Sequence, residues 1–347
     1  MRFRLIAILI SLAIGILSNA QQLGGNTVYN FINQPNSAQL SALGGVNISN
    51  ITNDVSMSFA NPALLRQQMN LQLSSSFNNY FAGIRNYSAT SAWYLSKSST
   101  NIALGVNYFD YGNITQTDAA GNILGNFHPN DNVLQIMASR KYLQHWWYGA
   151  TLKFISSNYG QYRSNGLAVD IGINYYDSVH LFQVGFVTKN WGAQLKSYSA
   201  NSVKEQLPFD MQLGVTKRLA HAPIQFSLTA HHLQAFNMYY SDSSFNNFVG
   251  DNSNSASNSA LNKIVSHLVL ATQFFISDQL EITAAFNFLN RHDLNIYNTT
   301  NGLNGFTLGI GAYLKKIHLR YATGFYQQNM FHQISLNIDW KGNTLFN

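Results

Sequence analysis

The amino-acid sequence predicts an all-β protein: a 14-stranded antiparallel transmembrane β-barrel with a short N-terminal plug. Three observations lead to this fold class: the composition, a two-residue alternation of apolar and polar side chains, and the parity of the connections. Charged residues make up 10% of the 347 residues and aromatic residues 14%, whereas soluble domains carry about 25% charged residues. This composition excludes a disordered chain and argues against a cytosolic enzyme. Beyond the N-terminus, the chain lacks the apolar runs of about 20 residues that helical membrane proteins need.

Residues 1–20 have the three parts of a secretory signal peptide. Arg2 and Arg4 form a basic region before the apolar residues 5–17, and 18–20 form a small-x-small cleavage site. The alternative is an N-terminal transmembrane anchor, but the apolar run is short for a spanning helix and no basic flank follows it. Signal peptide and barrel together predict a multi-pass protein of the outer membrane of a Gram-negative bacterium.

Residues 21–69 do not alternate, and we predict that they form a plug or hatch inside the barrel. Within them, 37–43 is predicted to be a short helix that Gly44 ends. About fifty residues at the barrel entrance can fill a lumen that inward-facing Gly and Ser side chains would leave poorly filled. The alternative is a periplasmic tail that docks elsewhere. The predicted plug motif consists of Leu23, Gly24, Gly25, Gly44, Gly45, Asn61, Pro62 and Ala63.

Residues 70–347 are predicted to form the barrel because their segments of about ten residues alternate apolar and polar side chains. In 303–314, for example, Leu308 and Ile310 share one face and Thr307 lies on the other. Such lengths match a tilted bilayer-spanning strand of about 9–11 residues better than a soluble strand of about 5–6. The predicted strands are 71–82, 87–97, 100–111, 132–141, 146–157, 165–176, 179–193, 208–219, 223–234, 263–276, 279–290, 303–314, 317–327 and 331–340.

The segment 179–193 could be one strand or two strands split at 188–190. Single-chain bacterial barrels have an even number of strands, with short periplasmic turns and longer outer loops. One strand makes the total fourteen and puts the long connection 235–262 on the outer side, whereas two strands make the total odd. We therefore predict one bulged strand.

The connection 235–262 is the candidate partner-docking loop, with the outer connection 112–131 as a second candidate. Its second half, 251–259, is a low-complexity polar tract that has little apolar surface to bury. Its first half carries side chains that can pack against a partner. The alternative is a self-packed lid over the barrel mouth. The candidate docking residues are Phe236, Met238, Tyr239, Tyr240, Phe245 and Phe248.

The residues predict no catalytic, cofactor-binding or metal site, and we expect a non-enzyme. The chain has no cysteine and no nucleophile-elbow, zinc-protease, P-loop or dinucleotide motif. His231 and His232 are adjacent at the end of a predicted strand, so their side chains are expected on opposite faces, where one ion cannot bind both without a distortion. A formal net charge of +6 without a basic cluster predicts no nucleic-acid partner.

Structural pairs are expected in the lumen, between the carboxylates of Asp170, Asp210, Glu281 and Asp339 and the cations of Lys153, Arg218 and Arg320.

Three stretches of the chain resemble the PorQ family, an outer-membrane component of the type IX secretion system that is related to PorV and to FadL-like barrels. They are QLGGNTVYNFINQPNSAQLSALGG at 22–45, DVSMSFANPALL at 54–65 and LPFDMQLGV at 207–215. The Asn61-Pro62-Ala63 piece is similar to the NPA motif in the plug of FadL-like barrels. The likeness in pattern extends over essentially the whole mature chain.

This resemblance implies a non-catalytic membrane anchor in the cell-surface attachment complex. The implied partners are a PorZ-type surface protein, a sortase-like PorU-type protein, a PorV-type shuttle barrel and outer-membrane lipid, with no cofactor. Two alternatives stay open: a FadL-like outer-membrane channel for a hydrophobic small molecule, and an outer-membrane enzyme. The chain departs from many outer-membrane barrels because seven residues follow Trp340, near which the last strand is predicted to end.

Overall fold

The computed structural model describes residues 27–199, 202–235, 260–294 and 301–340. Fourteen strands of these residues form one closed antiparallel barrel, and two more form a separate hairpin. In chain order the strands are β1 (Gln72–Asn79), β2 (Arg85–Leu95), β3 (Thr100–Asp110), β4 (Ile114–Thr117), β5 (Ile123–Phe127), β6 (Asn130–Tyr142), β7 (Trp146–Tyr159), β8 (Tyr162–Asp177), β9 (Phe182–Lys196), β10 (Asp210–Arg218), β11 (Ile224–Ala230), β12 (Leu268–Ser277), β13 (Leu280–Asn287), β14 (Phe306–Leu314), β15 (Ile317–Tyr326) and β16 (Asn329–Asp339). The α-helices are α1 (Ala38–Ala42), α2 (Ala260–Ser266) and α3 (Phe288–Asp293). None of the helices in the described ranges is long and apolar enough to cross a membrane.

The predicted 14-stranded antiparallel barrel is confirmed, and each predicted strand overlaps one barrel strand. β1 closes the barrel against β16, with Gln72 opposite Asp339 and Asn79 opposite His332. β9 is a single strand, as the parity of the connections predicted. Its register against β8 shifts in two places, so the pairing is bulged.

Three local features differ from the predicted elements. The connection predicted at 112–131 contains the hairpin of β4 and β5. The turn of this hairpin is stabilised by Asp118, whose Oδ1 accepts the backbone N–H groups of Ala120 and Asn122 at 2.9 and 2.8 Å. Helices α2 and α3 replace the first residues of the strand predicted at 263–276 and the last residues of the one predicted at 279–290.

Side-chain burial on the barrel strands is inverted relative to a water-soluble protein. On β14, the outward-facing Leu308 and Ile310 are 49% and 45% exposed, whereas the inward-facing Thr307 is 8% exposed. The same alternation of exposed and buried positions runs along β3, β6 and β7. Exposed apolar surface costs about 25 cal/mol per Å² in water, so this outer face is matched to lipid. The chain is therefore a transmembrane β-barrel.

The two ends of the barrel differ in their connections. At the short-turn end, six pairs of consecutive strands are joined by two to five residues, for example by 315–316 between β14 and β15. The longest connections, 111–129, 197–209, 231–267 and 288–305, all fall at the opposite, long-loop end. In bacterial barrels short turns face the periplasm and long loops face outward.

Residues 27–71, here called the lumen segment, precede β1 and lie inside the barrel. The helix predicted at 37–43 is confirmed as α1, whose N-cap Ser37 accepts the Leu40 N–H at 3.3 Å. Gly44, predicted as its stop, has a left-handed φ of 85° that favours glycine. Four 3-10 helices complete the segment: Asn30–Asn33, Val55–Phe59, Pro62–Leu64 and Gln67–Met69.

Candidate functional site

The lumen segment contacts the barrel strands at positions where the wall carries glycine. A Cβ atom built on Gly149 lies 2.6 Å from the carbonyl carbon of Pro62, and one built on Gly105 lies 2.5 Å from Phe59 Cε1. Any side chain at these positions overlaps the segment, so glycine permits the close approach. Six such residues on five strands form this surface and are called the contact glycines: Gly105, Gly149, Gly166, Gly172, Gly185 and Gly309.

The Asn61-Pro62-Ala63 motif is fully buried at this contact. Asn61 Oδ1 accepts the Ala63 N–H at 2.9 Å and caps the 3-10 helix Pro62–Leu64. Asn61 Nδ2 donates to the carbonyl of Ile48 at 2.9 Å, which ties two parts of the lumen segment together. Three of the predicted plug residues therefore form one hydrogen-bonded turn inside the barrel.

Arg66 anchors the same region to the wall, and the sequence pattern did not single it out. Its guanidinium donates to Asn174 Oδ1 on β8 at 2.7 Å and also to the carbonyl of Ala63. The guanidinium carbon lies 4.1 Å from the ring centroid of Trp147, at the start of β7. The only signal for this anchor in the sequence was a single arginine close to the Asn-Pro-Ala motif.

Gly44 and Gly45 lie where the C-terminus of α1 turns. Gly44 N–H donates to Ser41 at 3.1 Å and Gly45 N–H donates to Leu40 at 2.9 Å, which closes the helix. A Cβ atom on Gly44 would overlap Val269 of β12, so this glycine is needed for packing as well as for conformation. The remaining predicted plug residues, Leu23, Gly24 and Gly25, lie outside the described residues, as does the signal peptide. All six candidate docking residues also lie outside them: Phe236, Met238, Tyr239, Tyr240, Phe245 and Phe248.

A buried ion network joins the lumen segment to the wall at the short-turn end. The Arg320 guanidinium on β15 contacts the Glu281 carboxylate on β13 and lies 3.4 Å from Asp54 Oδ2 of the lumen segment. The hydroxyl of Tyr313 donates to Glu281 Oε2 at 2.9 Å. Because all three ionised side chains are at least 95% buried, each depends on the others for charge compensation.

The predicted lumen pairs are confirmed for two carboxylates. Besides Glu281 with Arg320, Lys153 Nζ lies 2.7 Å from Asp170 Oδ2 across β7 and β8. Arg218, the third cation considered for these pairs, contacts no carboxylate among the described residues. Arg218 lies at the short-turn end of β10, where it is exposed and stacks 4.3 Å above the ring of Phe275.

A cavity of about 180 Å³ remains at the long-loop end of the lumen. Gly44, Gly45 and the polar side chains of 33–36 line one side of it, and strand residues including Lys189 and Gln212 line the other. Asp210, His231 and His232 also line the cavity, with one ligand atom from each within 4.8 Å of the other two.

The histidine pair corrects a prediction made from the sequence. β11 ends at Ala230, before the two histidines, and His232 has a left-handed φ of 54°. Strand alternation therefore does not apply to them, and their ring centroids are 4.8 Å apart rather than on opposite faces. Burial lowers the pKa of the His231 imidazole well below its usual value, which keeps the ring neutral at pH 7.

No protein-family model and no curated protein matches the chain. Among solved structures, the chain is similar to the deltaS2 mutant of the TodX monoaromatic hydrocarbon channel, with 11% identity and a TM-score of 0.50 over 88% of this chain and 97% of that one. More distant are Omp33 of Acinetobacter baumannii (7% identity, TM-score 0.39, 78% and 99% covered) and the KdgM porin (5%, 0.34, 77% and 98%). At this identity the likeness to TodX shows the fold alone, which is that of an outer-membrane β-barrel.

Proposed function

We propose that the protein is a non-catalytic outer-membrane component of the type IX protein secretion system, which anchors a surface partner in the cell-surface attachment complex. The observation that carries this proposal is the filled lumen. The lumen segment is held by glycine contacts, amide hydrogen bonds and an ion network, and the cavity that the described residues form at the long-loop end is about 180 Å³. Ligand pockets usually measure about 300–1,000 Å³. A barrel filled in this way suits a membrane anchor better than a channel.

The proposed contact surface lies at the long-loop end, on the hairpin of β4 and β5. Ile123 and Leu124 are 75% and 62% exposed, and Ile114 is 43% exposed. Adjacent exposed apolar side chains are a feature of protein contact sites. The candidate loop 235–262 follows β11 and precedes β12 in the chain, and both strands meet it at this same end of the barrel. The PorQ resemblance supplies the identity of the partner, a PorZ-type surface protein with its PorU-type and PorV-type associates.

Affinity purification of a tagged copy from mildly solubilised outer membranes tests the proposal. We expect mass spectrometry to recover a large soluble surface protein and a sortase-like protein in near-stoichiometric amounts. A barrel that comes down alone, with only lipid or fatty acid, would contradict the proposal.

A pair of matched variants tests the surface itself. The double variant Ile123→Ser and Leu124→Ser removes exposed apolar area from the hairpin and should reduce recovery of the surface partner, with the barrel level unchanged. Val179→Ser is the control, because Val179 is 81% exposed but lies in a turn at the short-turn end. Equal recovery with both variants would argue that the hairpin is not the contact surface.

The second candidate function is a channel for a hydrophobic small molecule. It is favoured by the fold likeness to the TodX hydrocarbon channel and by the Asn61-Pro62-Ala63 motif in the lumen segment. The packing of this segment is partly apolar, because Leu43, Met57 and Leu64 are buried against wall alanines, which is compatible with such a channel. The small volume of the cavity at the long-loop end, about 180 Å³, argues against it. Uptake of a labelled fatty acid or aromatic hydrocarbon that falls on deletion of the gene, without loss of surface proteins, would favour the channel.

A further inference from the structure

Asp210, His231 and His232 form a side-chain cluster that the proposed anchor function does not use. Asp210 begins β10, and the two histidines directly follow β11. The left-handed backbone at His232 brings its N–H to 2.7 Å from Asp210 Oδ1 and its Nδ1 to 3.5 Å from the same oxygen. A single backbone turn thus places two imidazoles next to one carboxylate.

Two ring nitrogens of this cluster have no hydrogen-bond partner among the described residues. They are His231 Nε2, on a side chain 3% exposed, and His232 Nδ1. Buried polar atoms are usually paired, and an unpaired one points to a missing water or ion. Both rings line the cavity together with Asp210, and His232 Nδ1 lies 3.5 Å from Asp210 Oδ1, so an ion bound among the three side chains would give both nitrogens a partner.

The surrounding contacts hold the three side chains in place. Asp210 Oδ2 accepts a hydrogen bond from Gln212 Nε2 at 2.6 Å, which leaves Oδ1 directed at His232. His267 Nδ1 lies 2.7 Å from the backbone carbonyl of His231 and fixes the turn that carries the ring. Metal ligands in proteins are commonly oriented by hydrogen bonds of this kind.

We propose that Asp210, His231 and His232 bind one divalent transition-metal ion at the long-loop end of the lumen, with an open coordination position towards the cavity. Two imidazoles and one carboxylate are the donors that suit Zn²⁺ and its neighbours in the first transition row. Tetrahedral zinc with bonds of about 2.0–2.1 Å holds its ligand atoms about 3.3 Å apart. The separation of 3.5 Å between Asp210 Oδ1 and His232 Nδ1 is close to this value. All three ligand atoms lie within 4.8 Å of one another, so binding requires the His231 side chain to move towards the other two.

The site has one feature that opposes a cation. Lys189 lines the same cavity, and its ammonium group interacts electrostatically with the Asp210 carboxylate. Its positive charge lowers the affinity for a metal ion without removing any ligand. The ion, once bound, links the start of β10 to the end of β11, next to the loop predicted to dock a partner. This site does not depend on the proposed function, because it follows from the cluster geometry alone.

Zinc titration of the purified full-length barrel in detergent, after treatment with a chelator, tests the proposal. We expect isothermal titration calorimetry to show one Zn²⁺ ion per chain. X-ray absorption of the zinc-loaded wild-type protein should show two imidazole ligands with oxygen ligands completing the shell. Absence of saturable binding, or a zinc environment without two imidazoles, would overturn the proposal.

Matched variants locate the ion. Asp210→Asn and His231→Gln should each weaken zinc binding by more than about tenfold, and Lys189→Met should strengthen it. His180→Gln is the control, because His180 is an exposed histidine that contacts Asp177 Oδ2 at 2.6 Å at the opposite end of the barrel. Should His231→Gln fail to fold, the partly exposed His232→Gln replaces it. Zinc binding lost in His180→Gln but kept in the cluster variants would refute the site.

Discussion

The two halves of the lumen, one at the short-turn end and one at the long-loop end, differ in how closely the lumen segment fills them. In the short-turn half, the lumen segment lies directly on glycine of the wall, and Arg320, Glu281 and Asp54 compensate one another's charge. In the long-loop half, a cavity remains and ring nitrogens of His231 and His232 are unpaired. The first half therefore holds the lumen segment in place, and the second leaves a cavity in which a ligand can bind. Substitutions in the two halves should therefore have different energetic consequences.

The largest effect is expected from Arg320→Met. Removing the guanidinium leaves the buried carboxylates of Glu281 and Asp54 uncompensated, and breaking a buried pair in this way costs about 3–5 kcal/mol. The free energy of unfolding, measured by urea titration in lipid vesicles with tryptophan fluorescence, should fall by that amount. Adding Glu281→Gln should restore part of the loss, because one unpaired charge disappears.

Arg218→Met is the control for this variant. Arg218 lies at the same end of the barrel, but it is exposed and stacks on Phe275, with no carboxylate partner in the described part of the chain. We expect a loss below about 1 kcal/mol. Equal losses in the two arginine variants would mean that the ion network does not hold the lumen segment.

The contact glycines should show the next largest effect. In Gly149→Ala the new methyl group meets the backbone of Pro62, which cannot move aside as a flexible side chain can. Overpacking of this kind costs about 1–3 kcal/mol, and limited proteolysis should cut the lumen segment faster. Gly302→Ala, with no atom within 4 Å of the new methyl group, is the matched control and should change neither measurement.

A smaller effect is expected from Asn61→Ala. The variant removes the cap of the 3-10 helix Pro62–Leu64 and the hydrogen bond to Ile48. Loss of an N-cap side chain costs about 0.5–2 kcal/mol, which the same urea titration resolves. Asn53→Ala in the same segment is the control, because the Asn53 side chain is exposed. A loss no larger than that of the control would show that the Asn-Pro-Ala turn does not depend on its asparagine side chain.

The barrel was predictable because its determinants are local and repeated. A two-residue alternation of side chains, the strand lengths and an even number of strands were sufficient to predict fourteen barrel strands. They also predicted β9 as a single strand. The hairpin of β4 and β5 was missed, although Asp118 and Gly121 between two short β-forming stretches are a turn signal. The histidine cluster was not predictable, because a positive φ at a residue other than glycine breaks the alternation on which the prediction relied.

The smallest change is expected from His231→Leu in the long-loop half. Without zinc, the substitution exchanges an imidazole with an unpaired buried nitrogen for an apolar side chain, and such exchanges are close to neutral. The free energy of unfolding in a chelator should therefore stay within about 1 kcal/mol of the wild type. With zinc at a hundredfold excess over its dissociation constant, the wild type should gain about 2.7 kcal/mol, and the variant should gain little. A large loss in the chelator would mean that His231 is already paired within the protein, and the contrast between the two halves of the lumen would then disappear.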